Sequence, residues 1–329
     1  MEPILSMPSY VSTAKEILAL KVTKTPMLVE NLLPKKGMAS LSGSSDGGKS
    51  FLGLFVGSVL CGDQNDLFGY KIERSTGSVI IVCTEDSAED ICVRLTGFLA
   101  HNKFDNEKLR FIFETERLTD KLRAELKRQP ADLVIMDTFG DLFSGNINDS
   151  ISIRQFLKPY KMLANENNCL FLFNHHIGKG KESSSAPSKN DVLGSQGIES
   201  ACRTVLMLRK RPDGKRILTV VKGNHISEEY KNKGLVLSFA VEKGYENTGE
   251  TVQYSDATEE LNINNSIVQE VLTLYPKHKS YKKVAEVLKS KGYKKIDKNK
   301  VGDIWKKNGQ SVQTPIDNDG RTEESPVIE

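Results

Sequence analysis

A glycine-rich segment between residues 43 and 50 constrains the fold of this sequence more than any other feature. It follows an apolar run, MASLSG, and precedes a stretch with helical apolar spacing, KSFLGLFVGSVLC. The segment matches GxxxxGK[ST], in which glycines let backbone N–H groups approach phosphate oxygens and the following helix adds its positive dipole end. The sequence therefore predicts a strand–loop–helix unit that binds a nucleotide. The predicted binding residues are Gly43, Ser44, Ser45, Asp46, Gly47, Gly48, Lys49, Ser50 and Phe51.

Carboxylates that follow two apolar strands complete the predicted catalytic set. Lys49 is expected to neutralise the β- and γ-phosphates of ATP, and Ser50 to ligate Mg²⁺. Asp137 ends the apolar run LVIM and is expected to hold Mg²⁺ through water, although it could instead cap a turn. Glu85 follows SVIIVCT and could accept a proton from the attacking water, or simply lie on the surface. The base assignment is favoured because Thr138, and not a glutamate, follows Asp137.

Strands and helices alternate along the first half of the sequence. Apolar runs typical of buried strands are SVIIVC (78–83), LRFIF (109–113), LVIM (133–136) and CLFLFN (169–174). Helical patterns lie between them at 86–100, 117–128 and 151–167. Pro159 should kink or shorten the last of these helices. The alternation predicts an α/β fold with a mostly parallel sheet flanked by helices. Antiparallel strands that close the sheet are predicted at 203–208, 215–222 and 234–241.

The 329 residues are enough for one large α/β domain and a small appendage. A helix that Ser12 or Thr13 caps is expected in an N-terminal extension. The predicted segments are the extension at 1–24, the α/β nucleotide-binding domain at 25–242, a polar linker at 243–262, a basic helical domain of helix-turn-helix or winged-helix type at 263–309, and a disordered acidic tail at 310–329.

The composition favours the cytoplasm as the protein's compartment and shows that charge is unevenly distributed along the sequence. No apolar run approaches the roughly 18 residues of a membrane span, and no secretory signal pattern opens the sequence. Five cysteines without CxxC spacing favour reduced thiols and the cytoplasm. The net charge is +3, but the stretch from Lys277 to Lys307 carries a local +9, so the rest of the chain sums to −6. The basic stretch is either a surface that contacts nucleic-acid phosphates or a solvated face.

The motifs TED, MDTF and NHH, which contain Glu85, Asp137 and the pair His175–His176, occur in that order. Together they resemble the RecA-like ATPases, and among these the RepA-like hexameric replicative helicases of plasmids and mobile elements. The resemblance covers about residues 25–242 and implies a RecA-like fold, ATP hydrolysis promoted by Glu85, and a histidine that senses the γ-phosphate. We favour His175 as that catalytic-site histidine, although strand alternation alone leaves His176 open.

Two later motifs extend the resemblance to a neighbouring subunit. GSQGIESACR resembles the segment that bears an arginine finger, which implies this role for Arg203, and VVKGN resembles a strand whose lysine, here Lys222, enters the next subunit's site. Asn224 stands where many members have a second basic residue. A finger supplied in trans requires head-to-tail contacts, which close into rings. Solvated charge beside a strand is the alternative for Arg203.

The segment 177–192 follows the histidine pair and is rich in Ser, Gly and Lys. In RecA-like rings the corresponding loop lines the central channel, which implies that Lys179, Lys181 and Lys189 contact single-stranded DNA. An ordinary surface loop is the alternative.

These features predict an ATP- and Mg²⁺-dependent DNA helicase that forms a homo-oligomeric, hexameric ring on single-stranded DNA, with a primase or initiator protein as a further partner and no membrane. It would serve replication of a plasmid, phage or mobile element. One alternative is a RecA-like DNA-binding ATPase that does not unwind DNA. Another is a non-enzymatic, nucleotide-gated DNA-binding adaptor, against which Glu85 argues.

Overall fold

The computed structural model of the chain describes residues 11–147, 149–176, 196–211, 213–231, 233–253, 259–291, 293 and 296–308. The chain divides into two compact units, Met1–Asp256 and Ala257–Glu329. Within these described ranges, no helix combines the length and the apolar character needed to cross a membrane.

One sheet organises the first unit. The strands are β1 Met27–Val29, β2 Leu33–Pro34, β3 Gly37–Gly43, β4 Asp66–Leu67, β5 Tyr70–Lys71, β6 Val79–Cys83, β7 Leu109–Ile112, β8 Leu133–Asp137, β9 Leu170–His176, β10 Thr204–Lys210, β11 Arg216–Gly223, β12 Lys233–Ala240 and β13 Gly244–Gln253. Across the described residues, nine strands form the sheet in the order β13-β12-β11-β10-β3-β9-β8-β6-β7. Strands β1 and β2 form a separate pair, as do β4 and β5.

The pairing of neighbouring strands changes from parallel to antiparallel once across the sheet, at β10. All neighbours from β10 through β3, β9, β8 and β6 to β7 pair in parallel. Strands β10, β11, β12 and β13 pair antiparallel, through short connections. This confirms the predicted fold class, a mostly parallel α/β sheet that antiparallel strands extend on one side.

Helices follow most of the parallel strands. In the first unit they are α1 Ala14–Ala19, α2 Lys49–Cys61, α3 Ala88–Leu99, α4 Leu118–Arg128, α5 Phe139–Leu142, α6 Ser150–Glu166, α7 Gln196–Ala201 and α8 Glu228–Lys231. Two apolar clusters cover the two faces of the sheet. Strand β6 shows why its sequence is apolar throughout, because Val79 and Ile81 pack into one cluster while Ile80 and Val82 pack into the other.

The predicted linker at 243–262 is wrong over its first half. Residues Gly244–Gln253 form β13, which pairs with β12 and ends the sheet. An edge strand has one partner and one open side, so its sequence can stay polar, as GYENTGETVQ is. Its one strongly buried apolar side chain, Tyr245, is too little to produce a period-two pattern.

The structure decides two details of the predicted helices. Pro159 does not shorten α6, which runs from Ser150 to Glu166. Buried side chains on both sides of the proline, among them Leu157 and Leu163, offset the backbone hydrogen bond that it cannot donate. Of the two candidate caps of α1, Thr13 is the one observed, in a capping box with Glu16.

The second unit contains α9 Glu259–His278, α10 Tyr281–Ser290 and α11 Lys298–Asn308. Its described core consists of Ile267, Val271, Val284, Ala285, Leu288, Ile296 and Val301. Tyr275 stacks on Tyr281 and packs against Trp305, with ring centroids 4.7 and 4.4 Å apart. Ser280 caps α10 by accepting a hydrogen bond from the Lys283 amide at 3.4 Å.

We expect Leu288→Ala to destabilise the second unit by about 2–5 kcal/mol, because the change leaves a cavity in a small core. Trp305 is the one tryptophan of the sequence and packs in this unit, so its fluorescence follows the unit's unfolding in the full chain. The midpoint of the Trp305 transition in urea should fall. Lys289→Ala, at the exposed neighbouring position, should change the unit's free energy of unfolding by no more than about 0.5 kcal/mol and so leave the midpoint nearly unchanged. Equal midpoints for the two variants would contradict the described core.

Candidate active site

The loop between β3 and α2 needs glycine at two positions. A Cβ at Gly43 would lie 2.5 Å from the backbone oxygen of Leu208, which belongs to the neighbouring strand. Gly48 has a φ of 95°, and a Cβ there would overlap the Tyr245 hydroxyl. Lys49 then begins the buried helix α2. The local geometry is therefore that of a phosphate loop, with its backbone packed closely against two strands.

Lys49 is 3% exposed, although it is charged at neutral pH. Its Nζ donates hydrogen bonds to the carbonyl oxygens of Gly43, at 3.1 Å, and Ser44, at 2.6 Å. Burial lowers the pKa of Lys49 to about 8, while the nearby carboxylates of Asp137 and Glu85 raise it. The two carboxylates thus help to keep a buried cation at the loop, where phosphate oxygens can take over the bonds that the carbonyls now accept.

His176 links the lysine to the predicted catalytic base. Its Nδ1 lies 3.0 Å from Lys49 Nζ, and its Nε2 lies 3.6 Å from Glu85 Oε1. An ammonium can only donate, so Nδ1 accepts, and the proton of the neutral ring lies on Nε2, facing Glu85. Strand register explains the contact, since Gly43 of β3 pairs with His176 of β9. Lys49, His176 and Glu85 therefore form one continuous polar chain.

The structure places His176, and not the favoured His175, beside Lys49 and Glu85. Side chains alternate along a strand, so His175 points the other way, is 4% exposed and packs edge-on against Phe139. Burial lowers the pKa of His175 to about 4, which keeps the ring neutral. His176 is thus the histidine that contacts the predicted catalytic residues, and His175 belongs to the core beneath them.

Asp137 ends β8, and one oxygen of its carboxylate, Oδ1, is buried without a hydrogen-bond partner among the described residues. Burial raises the pKa of Asp137, while the adjacent side chains of Asn174 and Ser50 lower it. Neither amide atom of the buried Asn174 makes a hydrogen bond of normal geometry within the described ranges. Buried oxygens without partners suit a hydrated cation, so Ser50 and Asp137 fit the role of Mg²⁺ ligands.

A cluster of hydroxyls joins the ends of the two strands that carry Glu85 and Asp137. Thr84 Oγ1 lies 3.0 Å from the Asp137 carbonyl oxygen and accepts a hydrogen bond from the Thr138 amide at 2.8 Å. Asp141 Oδ2 accepts from Thr84 Oγ1 at 2.6 Å and from Thr138 Oγ1 at 2.8 Å. These hydrogen bonds join the end of β6 to the end of β8, and they therefore fix the distance between the predicted base Glu85 and the predicted metal ligand Asp137.

Arg203 and Lys222 lie at the other end of the sheet. The Arg203 amide donates to the Met38 carbonyl at 3.1 Å, next to the start of β3, whereas the phosphate loop follows its end. Gly43 lies five positions further along the strand than Met38, a distance of about 16 Å. Lys222 pairs with Val205 beside Arg203, after a bulge in β11. Neither predicted trans-acting residue is therefore close to the phosphate loop of its own chain.

Phe51, a predicted nucleotide-binding residue, packs against aromatic and basic side chains. Phe51 packs edge-on against Phe239, with ring centroids 5.5 Å apart, and the Arg94 guanidinium lies 4.9 Å from its ring centroid. Its ring is thus part of the packing behind the loop. The predicted DNA-contacting residues Lys179, Lys181 and Lys189 lie outside the described residues.

Four residues around the site were not assigned from the sequence. Asn174 stands next to the histidine pair, and a polar residue in the run CLFLFN was an available signal. No sequence pattern marks Thr84 as a residue of the site. The same holds for Arg216 and Tyr245, which the antiparallel strands bring to the loop. Arg216 is 169 positions from the loop residue Gly47 that it contacts, and no local pattern can reveal such a pair.

The arrangement of phosphate loop, buried lysine and strand-end aspartate at the carboxyl edge of a parallel sheet defines a class, the P-loop ATPases. The profile of the AAA_25 family, described as an AAA domain, matches residues 6–182. Because the match spans more than half of the chain, the protein belongs to this AAA domain family. Members of P-loop ATPase families typically use a nucleotide and Mg²⁺.

Comparison with solved structures agrees with this class. The comparison finds 472 matching chains. One of them is a solved ATPase domain, which superposes with a TM-score of 0.50 at 12% sequence identity, covering 65% of this chain and 85% of that one. At this identity the likeness shows the fold, which is RecA-like. A comparison with curated proteins gives no match.

Gly43→Ala should weaken ATP binding by at least about tenfold, because the new Cβ would collide with the Leu208 backbone and displace the loop. The matched control is Gly53→Ala in α2, where a Cβ would meet Ile135 at an ordinary 3.5 Å. Alanine there replaces a helical glycine and should not reduce stability or affinity. Equilibrium binding of a fluorescent ATP analogue measures both variants. Unchanged affinity in Gly43→Ala would refute the packing argument.

Proposed function

We propose that this ATPase is a ring-forming motor that moves along single-stranded DNA, acting as a replicative helicase of a plasmid, phage or mobile element. The observation that carries the proposal is the position of Arg203, some 16 Å along the sheet from its own phosphate loop. An arginine at that position serves a nucleotide site only if a second copy binds head to tail, and repeated head-to-tail contacts close into a ring.

Hydrolysis in the proposed motor uses the polar chain at the loop. Lys49 turns from the Gly43 and Ser44 carbonyls to the phosphates, and Glu85 accepts a proton from the water that attacks the γ-phosphate. Mg²⁺, when bound through Ser50 and Asp137, supplies positive charge to the phosphate oxygens. Arg203 of the neighbouring subunit adds charge to the transition state, and Lys222 stands beside it.

DNA contact is proposed for the segment that follows His176. Lys49 leaves His176 when it binds phosphate, so the histidine reports occupancy to the chain immediately after it, which carries Lys179, Lys181 and Lys189. The basic second unit, with exposed lysines such as Lys282, Lys289 and Lys298, provides a further surface for phosphates. A primase or an initiator protein that loads the ring is the proposed protein partner.

Unwinding of a forked DNA duplex tests the proposal. The wild-type protein should separate the strands with ATP and Mg²⁺, and Glu85→Gln should bind ATP but hydrolyse it at least about 10²-fold more slowly. Hydrolysis that single-stranded DNA stimulates, without strand separation, would instead indicate a DNA-binding ATPase. Absence of hydrolysis with intact nucleotide and DNA binding would indicate an adaptor. Either result would rule out the helicase proposal.

Mixing experiments test the arginine finger. Removal of a finger costs about 10³–10⁵ in rate, so Arg203→Ala subunits should inactivate the adjacent wild-type site in a mixed ring. Activity should fall more steeply than the wild-type fraction as the variant is added. Arg123→Ala, at an exposed position of α4, is the matched control and should leave activity unchanged. A strictly linear decline with Arg203→Ala would rule out action in trans.

A further inference from the structure

Two side chains from the antiparallel strands bind the phosphate loop from outside the matched family region. Arg216, the first residue of β11, donates from Nε to the Gly47 carbonyl at 2.8 Å. Tyr245, the second residue of β13, donates from its hydroxyl to the Gly48 carbonyl at 2.7 Å. Both strands lie beyond residue 182, where the family match ends. Two successive peptide groups of the loop are therefore held by residues of the sheet extension.

Binding these carbonyls determines where the opposite sides of the peptides point. In a trans peptide the C=O and the N–H of the following residue point in opposite directions. The hydrogen bond to the Gly47 oxygen thus directs the Gly48 amide away from Arg216. The Gly48 oxygen also accepts from the Leu52 amide at 2.9 Å, so Tyr245 reinforces a direction of the Lys49 amide that the first turn of α2 favours. Amides at the start of the helix after a phosphate loop are the groups that bind phosphate oxygens. The bonds thus select a loop conformation suited to phosphate.

The two donors are themselves held in place by packing. Arg216 is 6% exposed and Tyr245 is 4% exposed. The Arg216 guanidinium lies 5.0 Å from the centroid of the Phe239 ring and also donates to the Gly214 carbonyl. Phe239 in turn packs against Tyr245, with ring centroids 4.8 Å apart. Donors in one packed cluster lose little freedom on holding the loop, which makes their bonds effective.

We propose that Arg216, Phe239 and Tyr245 form a brace, a set of positioning residues that keeps the phosphate loop in its nucleotide-binding conformation before the nucleotide arrives. The brace touches the loop backbone and none of the predicted catalytic side chains. Its loss should therefore weaken binding of the phosphates while leaving the chemical step at saturating ATP almost unchanged, because bound phosphates can themselves order the loop.

Tyr245→Phe in the full chain is the decisive variant, because it removes the hydroxyl and retains the ring. Loss of one hydrogen bond should raise the Kd and KM for ATP about three- to tenfold, with kcat within about twofold. Tyr160→Phe is the matched control, since Tyr160 is also 4% exposed but lies in the apolar cluster on the other face of the sheet. It should leave Kd and KM unchanged.

Arg216→Lys keeps a positive charge but loses the fork geometry, and it should raise the Kd about tenfold or more. Circular dichroism checks its folding, and Tyr245→Phe decides the question where Arg216→Lys does not fold. Equal Kd values for Tyr245→Phe and Tyr160→Phe would overturn the brace. A fall in kcat at unchanged Kd would also overturn it. The Kd measurement needs neither DNA, nor a ring, nor hydrolysis, so its outcome is separate from that of the helicase proposal.

Discussion

The parallel register between β3 and β9 is the constraint on which the rest of the site depends. It pairs Gly43 with His176, and it thereby brings the histidine within 3.0 Å of the lysine that begins the next helix. Because side chains alternate along a strand, a slip by one residue would exchange the positions of His175 and His176. The register is secured by both apolar clusters, which bury β9 on its two faces. Packing far from the site thus determines its chemistry.

The site also retains polar groups that the rest of the first unit does not satisfy. Asp137 Oδ1 and the amide of Asn174 are buried without hydrogen-bond partners in the described part of the chain. Each such group costs stability, about 1–3 kcal/mol for an unsatisfied donor or acceptor. These two groups lie near the ends of the neighbouring strands β8 and β9, as expected of a binding site whose ligand satisfies them.

Sequence patterns predicted those parts of the fold and site that depend on neighbouring residues. Apolar runs located the parallel strands, and the phosphate-loop motif located Lys49 and Ser50, because both patterns are local. His176 was not preferred over His175, since the choice depends on which partner strand fixes the register. Strand β13 was missed because an edge strand can be polar, and Arg216 because its contact spans 169 positions. Long-range pairing was the missing information in each case.

Strand β11 carries Arg216 at its first residue and Lys222 near its last. Six residues of extended chain, about 20 Å, separate a side chain that holds the loop of its own subunit from one proposed to serve the next. The strand pairs with both β10 and β12 from Arg216 to Thr219, and it continues along β10 past the bulge to Lys222. In the proposed ring, a small shift of one loop would therefore move a charge at the adjacent nucleotide. In such a ring, β11 would couple nucleotide binding in one subunit to hydrolysis in the next, without rotation of whole domains.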